Sequence, residues 1–300
     1  MHPKQNILFI VNPISGVGKQ KVVETMVRLH LDSDKFFHHF AYTEYAGHAR
    51  EIAREASFDY DAVIAVGGDG TINEVASALL GTDCSLGIVP TGSGNGFARH
   101  MCIPVNVERA VQMLNTAKPI MIDTASINGR CFVNVSGMGF DAEVGHLFAL
   151  LGHRGPMAYV NISIRAFHHY FPQNYIVEID DTIISVKAFC MSFANTSQFG
   201  NNAYIAPDAS VRDGLIDLSI IRPFPVIDAL PIATKLFNKT LAKSRYFTSY
   251  KCSRILIHNA GVLKVHIDGE PELVRGDVEI MIHPASLRVL CDPNQERRIQ

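Results

Sequence analysis

The segment that most constrains the fold is an apolar run that ends in a glycine turn. Residues 61–75 read Asp-Ala-Val-Ile-Ala-Val-Gly-Gly-Asp-Gly-Thr-Ile-Asn-Glu-Val. The Val, Ile and Ala residues predict a buried strand, and Thr71 is a candidate N-cap for the helix that follows. Such a turn presents backbone N–H groups and a helix N-terminus to an anion. Asp69 would repel a phosphate unless a cation or a sugar hydroxyl lay between them, so we predict a nucleotide site with a metal. An ordinary tight turn in an α/β layer is the alternative.

Repeated strand–helix units fill the first 120 residues. Ile7–Val11, Phe37–Thr43, Ala62–Val66 and Ser85–Val89 are strand-like, and a segment with helical apolar spacing follows each of them. This repetition predicts a doubly wound parallel sheet. In such sheets ligands bind at the carboxyl ends of the strands, where the glycine-rich turns lie.

Short alternating segments with turn signals replace this pattern after residue 120. Asn128-Gly129, Asp180-Asp181, Asp213-Gly214 and Asp268-Gly269 favour two-residue hairpins. Helices are predicted only near residues 157–170 and 226–236. We therefore predict an α/β nucleotide-binding domain over residues 1–120, with the tail 285–300 as a candidate completion, and a mostly antiparallel β-sandwich over residues 121–284.

Composition excludes several classes of protein. The net charge of −2, without a long basic run, disfavours nucleic acid as a partner. The six cysteines have no metal-ligand spacing, which favours buried free thiols in a reducing compartment. No uncharged stretch is long enough to span a bilayer, and no signal-peptide pattern is present. We expect a cytoplasmic protein.

Two further loops follow predicted strands. Residues 12–19 read Asn-Pro-Ile-Ser-Gly-Val-Gly-Lys, and Pro13 and Gln20 break the Walker P-loop pattern. The loop is either a phosphate-lining segment or a plain helix entry. Residues 90–97 read Pro-Thr-Gly-Ser-Gly-Asn-Gly-Phe, and Phe97 takes the place of the last glycine of the dinucleotide-binding pattern. A Walker-type nucleotide site and a dinucleotide-binding site are therefore both disfavoured. Two glycine-rich loops at one edge of the sheet still indicate that a ligand binds there.

An acidic motif lies in the β-rich region at residues 268–270, Asp-Gly-Glu. A plain hairpin turn is the simpler interpretation, because Asp-Gly is a favoured turn pair. The functional interpretation is a carboxylate, Asp268 or Glu270, that accepts a hydroxyl proton during phosphoryl transfer.

Together, the Gly67–Val75 motif, the Thr91–Asn95 loop and Asp268-Gly269-Glu270 resemble the catalytic motifs of the diacylglycerol kinase and sphingosine kinase superfamily. The resemblance runs over nearly the whole chain and is nearest to the bacterial lipid kinases. It implies an NAD-kinase-like α/β domain, an active site in a cleft between the two domains, and transfer of the γ-phosphoryl group of ATP to a lipid hydroxyl with Mg²⁺.

The resemblance also implies roles for individual residues. Asp268 and Glu270 match the motif credited with the general base, and sequence does not decide which of them acts. Asp141 matches an aspartate tied to a catalytic magnesium or to the acceptor head group. Asp213 matches a structural magnesium site completed by backbone carbonyls near Ser210 and Leu215. The residues implied in nucleotide binding are Asn12, Thr43, Gly67, Gly68, Asp69, Gly70, Thr71, Asn73, Thr91 and Ser93.

The acceptor stays open on sequence alone. The second loop, Thr91-Gly-Ser-Gly-Asn-Gly96, is more similar to the sphingosine and ceramide kinase form than to the diacylglycerol kinase form. A lipid acceptor implies transient peripheral contact with a membrane, and a homodimer is left open. The alternatives are a kinase of a soluble acceptor such as NAD, which shares the glycine-aspartate turn, and a non-catalytic protein that binds nucleotide or lipid.

Overall fold

The computed structural model describes residues 4–16, 20–151 and 156–299. They divide into two compact units. The first unit takes the residues up to 124, residues 211–213 and the residues from 284 onward. The second unit takes residues 125–210 and 214–283.

The first unit is built around a parallel sheet. Its strands are β1 (Gln5–Val11), β2 (Phe36–Tyr42), β3 (Ala62–Gly67) and β4 (Ser85–Pro90), in the order β2-β1-β3-β4. Beside β4, Val289 of the last strand pairs in parallel with Leu86. All six residues of β3 and of β4 are buried, as expected for strands covered on both faces. The helices of this unit are α1 (Gln20–His30), α2 (His48–Ala56), α3 (Asp69–Leu79), α4 (Gly96–His100) and α5 (Val107–Leu114).

The second unit is mostly antiparallel. Its strands are β5 (Lys118–Ile127), β6 (Arg130–Phe132), β7 (Val135–Gly139), β8 (Gln173–Ile179), β9 (Thr182–Ala188), β10 (Cys190–Ala194), β11 (Ile216–Ile221), β12 (Phe247–Cys252), β13 (Arg254–His258), β14 (Val262–Ile267), β15 (Glu270–Arg275) and β16 (Val278–Cys291), of which β5 and β16 have residues in both units. One sheet has the strand order β12-β11-β10-β7-β14-β15. A second set of paired strands consists of β8, β9, β13 and residues 278–281 of β16. Buried apolar residues from both sets form one core, which makes the unit sandwich-like.

Three helices accompany these strands: α6 (Phe140–Leu151), α7 (Pro156–Phe167) and α8 (Ala229–Phe237). Short 3₁₀ turns lie at Val226–Asp228, Leu241–Lys243 and Pro293–Arg298. Helix α6 was not predicted from the sequence. Its apolar residues lie on all sides of the helix, so no single apolar stripe marks it, and Gly145 is a residue that disfavours helices.

The predicted fold class is confirmed: a parallel α/β sheet precedes a mostly antiparallel β unit. Three of the four turn pairs join adjacent strands, Asn128-Gly129, Asp180-Asp181 and Asp268-Gly269. The prediction of a hairpin at Asp213-Gly214 is wrong. Strand β11, which follows this pair, is joined in the sheet to β10, and 21 residues lie between the two strands. Asp213-Gly214 therefore lies at the end of a long connecting segment and not in a tight turn.

Within the described residues, no helix is both long and apolar enough to cross a membrane.

Candidate active site

The predicted nucleotide residues of the first unit gather at the carboxyl ends of its parallel strands. Asn12 follows β1, and its N–H donates to the Val66 carbonyl oxygen at 3.0 Å. Thr43 follows β2, and its N–H donates to the Val11 carbonyl oxygen at 3.0 Å. Thr91 follows β4, and its N–H donates to the Gly67 carbonyl oxygen at 2.8 Å. The sheet therefore places these loops at one edge, where the fold class locates ligands.

The two glycine loops approach each other at backbone distance. A Cβ atom built on Gly92 would lie 2.6 Å from the Cα atom of Gly68, closer than real Cβ contacts come. Only a residue without a side chain fits there, because the obstacle is backbone rather than a flexible side chain. The loops after β3 and β4 thus form a single surface of backbone groups, which is the kind of surface that can cradle phosphates.

The Asp69 carboxylate connects the loop after β3 with the start of helix α4. Its Oδ1 atom accepts a hydrogen bond from the Phe97 N–H at 3.4 Å, and the N–H groups of Asn95 and Gly96 also face the carboxylate. Burial raises the pKa of Asp69 above its usual value, although these backbone N–H groups oppose the shift. A half-buried carboxylate with a raised pKa would gain from a nearby cation, and the metal at this turn stays a prediction.

Side-chain hydrogen bonds connect the remaining loops. The Nδ2 atom of Asn12 donates to Oγ1 of Thr71 at 3.1 Å, which joins the loop after β1 to helix α3. The Thr91 hydroxyl donates to the Ser15 hydroxyl at 3.1 Å. Residues 17–19 of the first loop lie outside the described residues. Ser93 is exposed at the tip of the second loop, where its hydroxyl faces solvent.

Two residues of the motif, Asn73 and Glu74, make hydrogen bonds within the fold from helix α3. The Glu74 carboxylate accepts hydrogen bonds from the Gly47 N–H at 2.9 Å and from the Ala49 N–H at 3.1 Å. It therefore caps the N-terminus of α2, where a negative charge is favourable. Asn73 accepts a hydrogen bond from Ser77 at its carbonyl oxygen.

In the second unit, Asp268 lies in the tight turn between β14 and β15. Positive φ angles of 48° at Asp268 and 90° at Gly269 mark the turn. The Asp268 carboxylate is buried and accepts hydrogen bonds from two successive backbone N–H groups, those of Val133 and Asn134, each at 2.9 Å. Both carboxylate oxygens are thus engaged with the chain just before β7. Glu270, two residues on, is exposed.

Asp141 stands at the start of α6, next to a histidine that the sequence did not single out. Its Oδ1 atom accepts from the Ala142 N–H at 2.8 Å, and Oδ2 lies 3.3 Å from both the Ser192 hydroxyl and the His266 Nε2 atom. Gly137 leaves room for the group, because a Cβ atom there would lie 2.7 Å from Asp141 Oδ2. The N–H of Gly269 donates to His266 Nδ1 at 3.2 Å, so the ring proton lies on Nε2 and points at Asp141.

The predicted structural metal residues are divided between the two units. Asp213 belongs to the first unit, whereas Ser210 and Leu215 belong to the second. Within the described part of the chain, no group of three or more His, Cys, Asp or Glu side chains is arranged to hold a metal ion. A magnesium site held by one or two carboxylates, water and substrate phosphates is compatible with that finding.

Sequence reasoning missed two residues of this arrangement, His266 and Ser192. A signal for His266 was present, since it lies only two positions before Asp268 of the acidic motif. Ser192 had none, because it reaches Asp141 from a separate strand, β10, 51 positions away.

Two family models together match most of the chain. Residues 6–127 match the model of the diacylglycerol kinase catalytic domain, and residues 134–291 match the YegS C-terminal NAD kinase beta sandwich-like domain. The chain is 28% identical to the diacylglycerol kinase of Bacillus subtilis over 274 residues, which cover 87% of this chain and 88% of that protein. It is 32% identical to a probable lipid kinase YegS-like of Pseudomonas aeruginosa PAO1 over 249 residues, 81% of each chain.

A solved structure of a putative diacylglycerol kinase from Bacillus anthracis shares the fold, with a TM-score of 0.80 at 20% identity over 97% of this chain and 96% of that one. The match to the diacylglycerol kinase catalytic domain and the likeness to the two lipid kinase relatives define a kinase with an alcohol group as acceptor. The chain belongs to the family of lipid kinases that carry the diacylglycerol kinase catalytic domain.

Proposed function

We propose that this lipid kinase transfers the γ-phosphoryl group of ATP to the hydroxyl of a diacylglycerol-like or sphingoid acceptor, with the residues of the first unit holding the nucleotide and those of the second activating the acceptor. The observation that carries the nucleotide assignment is the backbone contact between Gly68 and Gly92 at the carboxyl edge of the parallel sheet. Phosphoryl transfer requires mainly positioning and neutralisation of charge, and a rigid surface of backbone N–H groups supplies both.

Glu270 is the general base in this proposal, and Asp268 positions the turn that carries it. The Asp268 oxygens each accept a backbone N–H, which leaves the carboxylate committed to holding the turn. The Glu270 side chain is exposed to solvent at the first position of β15, where an acceptor hydroxyl can reach it. Deprotonating that hydroxyl as it attacks contributes about 10²–10⁴-fold to the rate.

Mg²⁺ is the proposed cofactor, and carboxylate oxygens are ligands that suit it. In the second unit, Asp141 offers a carboxylate oxygen that His266 and Ser192 orient. In the first unit, Asp69 offers a half-buried carboxylate with a raised pKa beside the phosphate surface. When bound, the ion would neutralise charge on the phosphoryl oxygens. A structural ion at Asp213, completed by backbone carbonyls near Ser210 and Leu215, is a separate part of the proposal.

Radiolabelled ATP and a panel of acceptors test the proposal. The purified chain is incubated with γ-labelled ATP, Mg²⁺ and, separately, diacylglycerol, sphingosine or NAD, and the products are separated by chromatography. Label in either lipid supports the function and names the acceptor. Label in NAD alone would support the soluble-acceptor kinase, and ATP binding without transfer to any acceptor would support a non-catalytic protein.

A further inference from the structure

Helix α8 and the turn before it expose an apolar stripe on the second unit. Ile227, Leu230 and Phe237 are 83%, 76% and 56% exposed. Their spacing of three and seven residues places them on one side of the helical segment. We refer to these three residues as the α8 stripe. Single exposed apolar side chains are common, but a row of three large ones on one helix face indicates an interaction surface.

The opposite face of α8 is already packed, so the stripe is a second apolar face. Ile232 is buried in a core cluster, and Leu236 packs against the same cluster. The Leu236 carbonyl oxygen accepts a hydrogen bond from the Tyr204 N–H at 3.0 Å, which fixes the end of the helix on the unit. Helices that are apolar on two faces are covered on both in their working environment. A partner for the outer face is therefore expected.

The charge around the stripe identifies the chemistry of that partner. Residues 222–245 contain five Lys or Arg residues and one acidic residue, Asp228, in a chain whose net charge is −2. Asp228 is already engaged, because it accepts from the Tyr246 hydroxyl at 2.6 Å and pairs with Arg245 at 3.3 Å. The segment therefore carries a net charge of +4 and the rest of the chain −6. An exposed apolar row flanked by lysines matches an anionic lipid surface.

We propose that the outer face of α8 docks on an anionic membrane, with the α8 stripe in the acyl boundary and Lys235, Lys239 and Lys243 at the head groups. This inference rests on the proposed function, because a lipid acceptor is delivered from a bilayer. It goes further by naming the surface of the kinase that meets the bilayer and the charge of the lipids it prefers.

An aromatic cluster connects the residues just before the α8 stripe with the residues next to Asp141. The rings of Phe224 and Phe189 have centroids 4.8 Å apart, and those of Phe189 and Phe140 are 4.5 Å apart. Phe140 immediately precedes Asp141. Phe224, three residues before the α8 stripe begins, and Phe140, next to Asp141, thus belong to one aromatic cluster within the second unit, which suits the handling of an acceptor with acyl chains.

The absence of tryptophan from the sequence gives a direct test. In Leu230→Trp the new indole is the sole tryptophan, and its emission should shift to the blue when phosphatidylglycerol vesicles are added without ATP. The matched control is Phe58→Trp, at a residue that is 86% exposed on the first unit, and its emission should not move. An unshifted Leu230→Trp spectrum, or equal shifts in both variants, would overturn the proposal.

Vesicle sedimentation measures the contribution of each group. Ile227→Ser/Leu230→Ser should weaken binding to phosphatidylglycerol vesicles by at least about tenfold, from the loss of two inserted side chains. Each of Lys235→Gln, Lys239→Gln and Lys243→Gln should weaken it by about fivefold at low salt. Phe58→Ser should bind as the wild type does. Equal binding of the wild type to phosphatidylcholine vesicles, or a wild-type dimer that the double Ser variant converts to a monomer, would overturn the proposal in favour of a neutral surface or a second copy.

Activity assays separate this inference from the proposed function. On a short-chain diacylglycerol dissolved below its micelle concentration, Ile227→Ser/Leu230→Ser should transfer phosphate at the wild-type rate. On acceptor embedded in anionic vesicles the same variant should be at least about tenfold slower. Equal wild-type and variant rates on vesicles would defeat the docking surface alone. Stripe-dependent vesicle binding without transfer to any acceptor would defeat the proposed function alone.

Discussion

The His266 Nε2 atom lies 3.3 Å from the Asp141 Oδ2 atom, and the Gly269 N–H donates to the other ring nitrogen. The imidazole thereby connects the aspartate at the start of α6 with the turn that carries Asp268 and Glu270. Both partners are largely buried, with side chains 6% and 14% exposed, so water competes little for this contact. A neutral histidine held in one tautomer orients the carboxylate without changing its charge.

Replacing His266 should therefore impair turnover more than nucleotide binding. In His266→Phe the Nε2–H donor is lost while the ring volume stays, and we expect kcat to fall by about tenfold with the KM for ATP unchanged. His266→Gln, whose side-chain amide can still donate, should recover part of the rate. Steady-state kinetics on both variants make the comparison. An unchanged kcat in His266→Phe would show that the contact has no bearing on the reaction.

The roles of Asp268 and Glu270 can be distinguished by measuring both stability and turnover in variants of each residue. Asp268→Asn places an NH₂ group against one of two backbone N–H donors, so we expect a loss of about 1–3 kcal/mol in the free energy of unfolding. Glu270→Gln changes an exposed side chain and should unfold as the wild type does, yet lose most turnover at unchanged ATP affinity. Urea unfolding with kinetics on each variant gives both numbers. Full activity in Glu270→Gln would return the base assignment to Asp268.

Asp69→Asn should stabilise the ligand-free protein and abolish its activity. Burial raises the pKa of Asp69, so the charged carboxylate destabilises the folded protein at pH values above that raised pKa. This cost is lost as the pH falls through the raised pKa and below the usual range of an aspartate. The variant should therefore melt higher than the wild type at neutral pH, with the difference shrinking as the pH falls to that range, and should lose at least about 100-fold in kcat. Thermal melts across this pH range measure the first effect. A lower melting temperature at pH 7 would contradict it.

The local sequence pattern predicts the glycine loops of the first unit better than the contacts of Asp268 in the second unit. Glycine turns after apolar runs place Gly68 and Gly92 at one sheet edge, because parallel strands share their direction. The contact of Asp268 with Val133 and Asn134 spans more than 130 residues of sequence, and no local signal encodes it. Helix α6 was not predicted because its apolar residues are distributed around the helix and form no single stripe.

The close approach of the two glycine loops predicts that alanine lowers ATP affinity at Gly92 but not at a glycine in open space. In Gly92→Ala the new methyl group would lie 2.6 Å from Gly68 Cα, so one loop must move and we expect ATP affinity to drop by at least about tenfold. The matched control is Gly145→Ala in α6, where a Cβ atom meets nothing within 4 Å. That change should leave ATP affinity intact and stabilise the fold by about 0.5–1 kcal/mol, since alanine favours a helix interior. Calorimetric titration with ATP and Mg²⁺ compares the two variants. Equal affinities would mean that the contact does not shape the nucleotide site.

Buried His100, in α4, should make the fold sensitive to mild acid. Burial lowers the pKa of His100 to about 4, against 6.5 for an exposed histidine. Between these values the unfolded chain binds a proton that the folded chain does not, so stability is lost as the pH falls below 6.5. From pH 7.5 to pH 5 this loss amounts to about 2 kcal/mol. His100→Gln cannot titrate and should lose that much less over the same interval in urea unfolding, whatever its stability at pH 7.5. Parallel losses in the wild type and the variant would show that His100 is protonated in the folded state.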